Sequence, residues 1–104
     1  MNKKISITTD SPALYGFLNS DLPHGVQIIS DSPYKGRGIE VALTTEIQIV
    51  ADLVKIEKDN FVAWLISRTR VLEGNHKIKI NRQQIPVNDP EAVELLTKEI
   101  ENEE

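Results

Sequence analysis

The chain has no cysteine, which excludes disulfides, thiolate metal centres and cysteine nucleophiles. Imidazole is scarce, with His24 and His76 the whole supply. A hydrolase triad needs a nucleophile, a base and an orienting acid converging in space. Neither histidine stands beside a nucleophile-elbow pattern. His24 lies in the Pro-His-Gly turn, and His76 reads as the exposed start of a strand. No pair of residues has metal-ligand spacing, and no loop repeats oxygen ligands at alternate positions. No catalytic residue, metal ligand or cofactor site is therefore expected. Long apolar runs are also missing. The longest, Phe61 to Ile66, is far short of the roughly 20 residues of a membrane-spanning helix. Lys3 and Lys4 resemble the start of a secretory signal, but no apolar stretch of about 7–15 residues follows them. The expectation is a cytoplasmic protein with no membrane contact.

What remains is one domain's worth of chain. The 104 residues are 39% apolar and 27% charged, enough apolar material to offset the entropy of ordering. Ile5 and Ile7 alternate with polar neighbours as in a half-buried strand. Asp10-Ser11-Pro12 reads as a helix start, and Leu14, Phe17 and Leu18 share a face of the short helix that follows. Val26, Ile28 and Ile29 form a second strand, parallel or antiparallel to the first. From Ile39 to Leu72 the pattern predicts a long helical segment, because Leu43, Ile47, Val50, Val54, Phe61 and Leu65 step by three, four or seven residues. Lys58-Asp59-Asn60 interrupts it, with Asp59 or Asn60 as a cap if there are two helices. Gly74 is the expected left-handed end. His76 to Ile80 and Ile85 to Val87 form a hairpin around Asn81-Arg82-Gln83. Asp89-Pro90 starts a last helix buried through Val93, Leu96 and Ile100, with Leu95 beside them. Residues 101–104 form a frayed acidic tail. The predicted fold is a single α+β domain over residues 1–104. It is a two-layer sandwich in the order β-α-β-α(long)-β-β-α, with helices packed on a four-stranded sheet.

The formal charge of −4 argues against a general polyanion binder, but the charge is unevenly spread. From Arg68 to Arg82 five bases, Arg68, Arg70, Lys77, Lys79 and Arg82, face one acid, Glu73, for a net +4. From Asp89 to Glu104 seven acids face Lys98, for a net −6. A basic ribbon can follow a nucleic-acid backbone through Arg68, Lys77, Lys79 and Arg82, although the hairpin carries no aromatic residue for stacking. The favoured reading pairs the basic hairpin with the acidic last helix, within the fold or across a dimer. Lys35-Gly36-Arg37-Gly38 could cradle a phosphate, but the dinucleotide fingerprint lacks its third glycine and the Walker pattern is absent. Trp64 reads as core or as an interface anchor. The polar group Lys55, Glu57, Lys58 and Asp59 reads as a solvated face.

Gly38-Ile39-Glu40-Val41-Ala42-Leu43, the apolar segment after it and Phe61-Val62-Ala63-Trp64-Leu65-Ile66-Ser67-Arg68 resemble the effector-associated constant component family of bacterial conflict, or defence, systems. The strand pair Lys77 to Ile80 and Gln84 to Val87 and a last helix from Asp89 continue the resemblance, with Asn81-Arg82-Gln83 where the family often has glycine. The resemblance implies a small non-catalytic adaptor working by protein–protein contact. Its partner would be an effector or switch protein encoded nearby. Expected contact residues are Trp64, Arg68, Lys58 and Asp59, and a homodimer is a further expectation. The alternative is a nucleic-acid-binding regulator using residues 68–82, with nucleic acid the disfavoured partner.

Overall fold

Alternation of apolar and polar residues builds five strands rather than four. The computed structural model describes residues 2–11, 13–33 and 45–101. In chain order these form β1 (Asn2–Thr9), α1 (Leu14–Asn19), β2 (Val26–Pro33), β3 (Thr45–Asp52), α2 (Lys58–Val71), β4 (His76–Ile80), β5 (Gln83–Pro86) and α3 (Ala92–Glu101). The α+β class is as expected. The strand count and element order are not, because β3 occupies part of the expected long helix. Ile47, Ile49 and Ala51 are fully buried while Gln48 and Val50 face the other way. The β-branched residues Thr45, Ile47, Ile49 and Val50 suit a pleated surface. Lys35 to Gly38 and the first part of the expected helix, residues 39–44, lie outside the described residues.

The strand order is β2-β3-β1-β4-β5, and every neighbouring pair is antiparallel. β1 and β2 therefore run parallel, with β3 inserted between them, so they never pair as the compact β-α-β reading allowed. The inward rows, Ile5 and Ile7 of β1, Ile47 and Ile49 of β3, and Ile78 and Ile80 of β4, meet Leu14 and Leu18 of α1, Phe61 and Leu65 of α2, and Leu96 and Ile100 of α3 in one core. The outward rows hold Lys4, Ser6 and Thr8 of β1, Gln48 of β3 and Lys77 and Lys79 of β4, all exposed or half-buried. A bulge between Ile28 and Ser30 adds one residue to β2, which leaves Ile29 at 46% exposure instead of in the core.

The ends of the helices differ from the expected caps. α1 begins after Ala13, without a side-chain cap, and the Asp10 carboxylate instead accepts from the Asn75 backbone N–H at 2.8 Å and from its side-chain amide at 3.2 Å. Asp10 thus ties the end of β1 to the start of β4. α2 starts after Glu57, again without a side-chain cap, and Asp59 sits in its first turn, where a negative charge favours the helix dipole. Leu72, in extended conformation, ends α2. Gly74 is not a left-handed cap. Its φ of +139° and the 2.7 Å separation between a built Cβ and Asp10 Oδ1 show why a side chain would not fit there. On α3, Ala92, Leu96 and Ile100 are buried. Val93 is 42% exposed and Leu95 37%, so Val93 is not in the core as its spacing suggested.

The β4–β5 turn holds Asn81 at φ +50° and Arg82 at φ +72°. Two positive φ values in sequence give a tight hairpin turn that matches strand twist. Asn81 is anchored by a 3.0 Å bond from its amide to the Glu99 carbonyl. Arg82 has no such anchor among the described residues and carries a Cβ where glycine would carry none. We expect Arg82→Gly to stabilise the protein by about 0.5–1 kcal/mol, since relief of left-handed strain outweighs the added unfolded-state entropy. Urea denaturation at constant m-value checks this, and a fall in the midpoint would contradict it.

Candidate functional site

The expected contact residues divide between two places on α2. At about 100° per residue, Trp64 and Arg68 share one face of the helix, while Lys58 points elsewhere. Asp21, in the turn after α1, receives both. The Trp64 indole N–H donates to the Asp21 backbone carbonyl at 3.1 Å, and an Arg68 Nη donates to its carboxylate at 2.8 Å. The Arg68 guanidinium also lies over the Phe17 ring, 4.6 Å from its centroid, and Trp64 stacks near Phe61 with centroids 6.3 Å apart. Trp64 and Arg68 are both half-buried. They hold α2 to α1 and still present an aromatic edge and a cation at the surface. The cost is local, because Arg68 Nε is buried with no hydrogen-bond partner among the described residues.

Lys58 instead reaches the end of α3 and pairs with Glu101. Asp59 is exposed beside it. The hydrogen bond that Lys58 donates to Glu101 raises the ammonium above its ordinary 10.5, with desolvation opposing it and the Glu101 and Asp59 charges adding to the effect. A raised pKa means the pair supports the fold around neutral pH and stops doing so as pH climbs through the raised value. Lys58→Met should therefore lower the urea midpoint slightly near neutrality, with the difference shrinking in strongly alkaline buffer and in high salt. A difference that grew with pH would be inconsistent with this pair.

His76 is not at an exposed strand end. It is 3% exposed, with Nδ1 at 2.7 Å from Thr9 Oγ1 and Nε2 at 2.8 Å from the Leu72 carbonyl oxygen. A carbonyl can only accept, so Nε2 carries the proton, and in the neutral ring Nδ1 accepts from the Thr9 hydroxyl. Thr9 Oγ1 in turn accepts from the Ser11 N–H at 3.0 Å. This chain of bonds joins β1, the end of α2 and β4, and it explains why a polar pair, Thr9 and His76, occupies inward positions. Both ring nitrogens are engaged within the fold. His24, by contrast, is exposed. It borders an open cavity of about 300 Å³ with Asn2, Gln27, Asp52 and Lys55.

The nucleic-acid set is not brought together. Lys77 and Lys79 stand on the outer face of the sheet, Arg82 lies at the β4–β5 turn, and Arg68 is in the helical layer on the other side. Lys4 of β1, which the sequence pattern had not grouped with them, joins the two lysines on the outer face. The hairpin meets α3 through Asn81, whose amide donates to Glu99, but its basic residues Lys77 and Lys79 do not make the expected pairs with the acids of α3, because the outward alternation of β4 turns them away from it. Arg70 is used internally, donating to the Val87 and Asp89 carbonyls. Among the described residues no group of three His, Asp or Glu could hold a metal ion, and no helix is long and apolar enough to cross a membrane. Searches of protein-family models, of curated proteins and of solved structures return no match to this chain.

The bond network around His76 makes a sharp prediction. Thr9→Val removes the hydroxyl while keeping the shape, which leaves a buried imidazole nitrogen and the Ser11 N–H without their partner. The expected loss is about 1–3 kcal/mol in urea denaturation. Ser11→Ala, which keeps the backbone donor, should change stability by less than about 0.5 kcal/mol. Equal effects of the two substitutions would contradict this role for Thr9.

Proposed function

We propose that this chain is a small non-catalytic adaptor, coupling an effector to a sensor or switch protein as the constant component of a bacterial conflict system does. The observation that carries this reading is the state of Trp64 and Arg68. Tryptophan and arginine are enriched among the residues that dominate protein–protein binding, and binding is strongest where side chains are held in place before the partner arrives. Asp21 and Phe17 do that holding here while the two side chains remain within reach of solvent. A partner that laid an acidic or aromatic group against them would meet a prepared surface. The engagement of both His76 nitrogens inside the fold also supports a non-catalytic part. Lys58 and Asp59, on another side of α2, become secondary contacts in this reading.

Co-purification with the products of neighbouring genes tests the proposal. The expected result is a complex that Arg68→Ala weakens at least about tenfold, while Arg82→Ala, at the far hairpin turn, leaves it intact. Circular dichroism should show that the Arg68 variant remains folded. Absence of any complex with a neighbouring gene product would overturn the adaptor reading.

A further inference from the structure

We propose that the outer face of the sheet binds a short acidic segment of a partner protein in extended conformation, through Lys77, Lys79 and Lys4. The helices pack on the inner face, and these three lysines are exposed on the other. Thr8 stands opposite Lys77 and Ser6 opposite Lys79, so Lys4, two positions before Ser6, lies diagonal to Lys79. No counter-charge stands directly opposite any of them. Their cross-strand neighbours on this face are Ser6, Thr8, Val50, Gln84 and Pro86, all uncharged. None of the three forms a salt bridge or side-chain hydrogen bond among the described residues. The outward acids Glu46 and Asp52 stand at the two ends of β3, opposite Thr8 and Asn2. The Asp10 carboxylate, just beyond β1, is held by Asn75. Like charges on neighbouring positions repel one another and gain from an anionic cover.

Spacing selects the form of that cover. Residues two apart on one strand lie about 7 Å apart, and diagonal neighbours about 7–8 Å. The lysines in the order Lys77, Lys79, Lys4 therefore follow one another at nearly equal steps. An extended peptide repeats its same-face side chains at the same step of about 7 Å, so Glu or Asp at alternate positions meets each lysine in turn. The Ser6 and Thr8 hydroxyls and the Gln84 amide stand beside the lysines and offer further donors to carboxylate oxygens. A nucleic acid is the weaker occupant. The face has no aromatic side chain for stacking among the described residues, and the chain's net −4 repels a long polyanion more than a short segment. The contact lies on the layer opposite Trp64 and Arg68 and uses neither, so it stands or falls separately from the adaptor reading.

Exposed ion pairs are individually weak and screened by salt, so binding should be strongest at low ionic strength. The probe is a labelled synthetic peptide of alternating glutamate and serine, followed by fluorescence anisotropy beside its glutamine counterpart and a short DNA duplex. The glutamate peptide should bind saturably in about 20 mM salt and be released in about 0.5 M, while the glutamine peptide should not bind. Lys4→Gln/Lys77→Gln/Lys79→Gln should weaken binding at least about tenfold. Lys98→Gln, in the helical layer, should change it less than about twofold. Amide signals of β1 and β4 in the unsubstituted chain should shift on titration while those of α3 stay, which locates the contact whether or not the triple variant folds. No saturable binding at low salt overturns the proposal. So does equal binding of the glutamine peptide, undiminished binding by a folded triple variant, or tighter binding of the DNA duplex through the same lysines.

Discussion

The fold depends on the alternation of β3. Its inward residues Ile47, Ile49 and Ala51 must match the inward rows of β1 on one side and β2 on the other. The pairs Ile5 with Ile49 and Ile7 with Ile47 set the register against β1, and Val26 with Ala51 sets it against β2. A slip of one residue would turn all three side chains to the outer face. β2 pairs with no strand but β3, so β3 alone joins it to β1 and the rest of the sheet. The helices then have a single apolar surface to cover, and Phe61, Leu65, Leu18 and Leu96 cover it from one side only. The bulge in β2 is consistent with this constraint. Its register is held as far as Ile28, and the extra residue is accommodated by expelling Ile29 rather than by shifting β3.

Much of this was legible in the chain. β1, the β4–β5 hairpin and the presence of α1 and α3 follow from local alternation and spacing. β3 was not, because Ile47, Val50 and Val54 satisfy a helical spacing as well as Ile47, Ile49 and Ala51 satisfy a strand. Two periods coexist over one short window, and the tertiary pairing with β1 decides between them. The run of β-branched residues was the signal that favoured the strand. Val54, at 81% exposure, shows that the helical stripe had no core to face at that point. Val93 was misplaced because it stands at the edge of the face that Ala92, Leu96 and Ile100 bury, about 100° round the helix from Ala92.

The polar side chains were harder to read than the apolar ones, because their roles are set by partners distant in sequence. Asp10 followed by Ser11 resembles a helix cap, yet Asp10 is captured by Asn75. His76 opens an exposed-looking strand, yet its inward position and two partners make it part of the core. Trp64 and Arg68 were singled out as a pair, but nothing local indicates that Asp21 engages both, one through its backbone and the other through its carboxylate. The grouping of Arg68 with Lys77 and Lys79 came from proximity in sequence, and the sheet places them on opposite sides.

The same separation gives the net charge of −4 a structural meaning. A sheet covered on one face must place the outward residues of every strand on the other, and in β1 and β4 those residues are Lys4, Lys77 and Lys79. The acids of α3 lie in the covering layer, where the burial of Ala92, Leu96 and Ile100 turns Glu91 and Glu94 to solvent. Strand alternation and helix periodicity therefore do more than bury the core. They also place Lys4, Lys77 and Lys79 on one surface and Glu91 and Glu94 on the other. Those surfaces cannot neutralise each other within one molecule, so the compensation must come from ions in solution or from another macromolecule. Solvent ions can do it at high ionic strength, and a complementary surface gains the advantage as ionic strength falls.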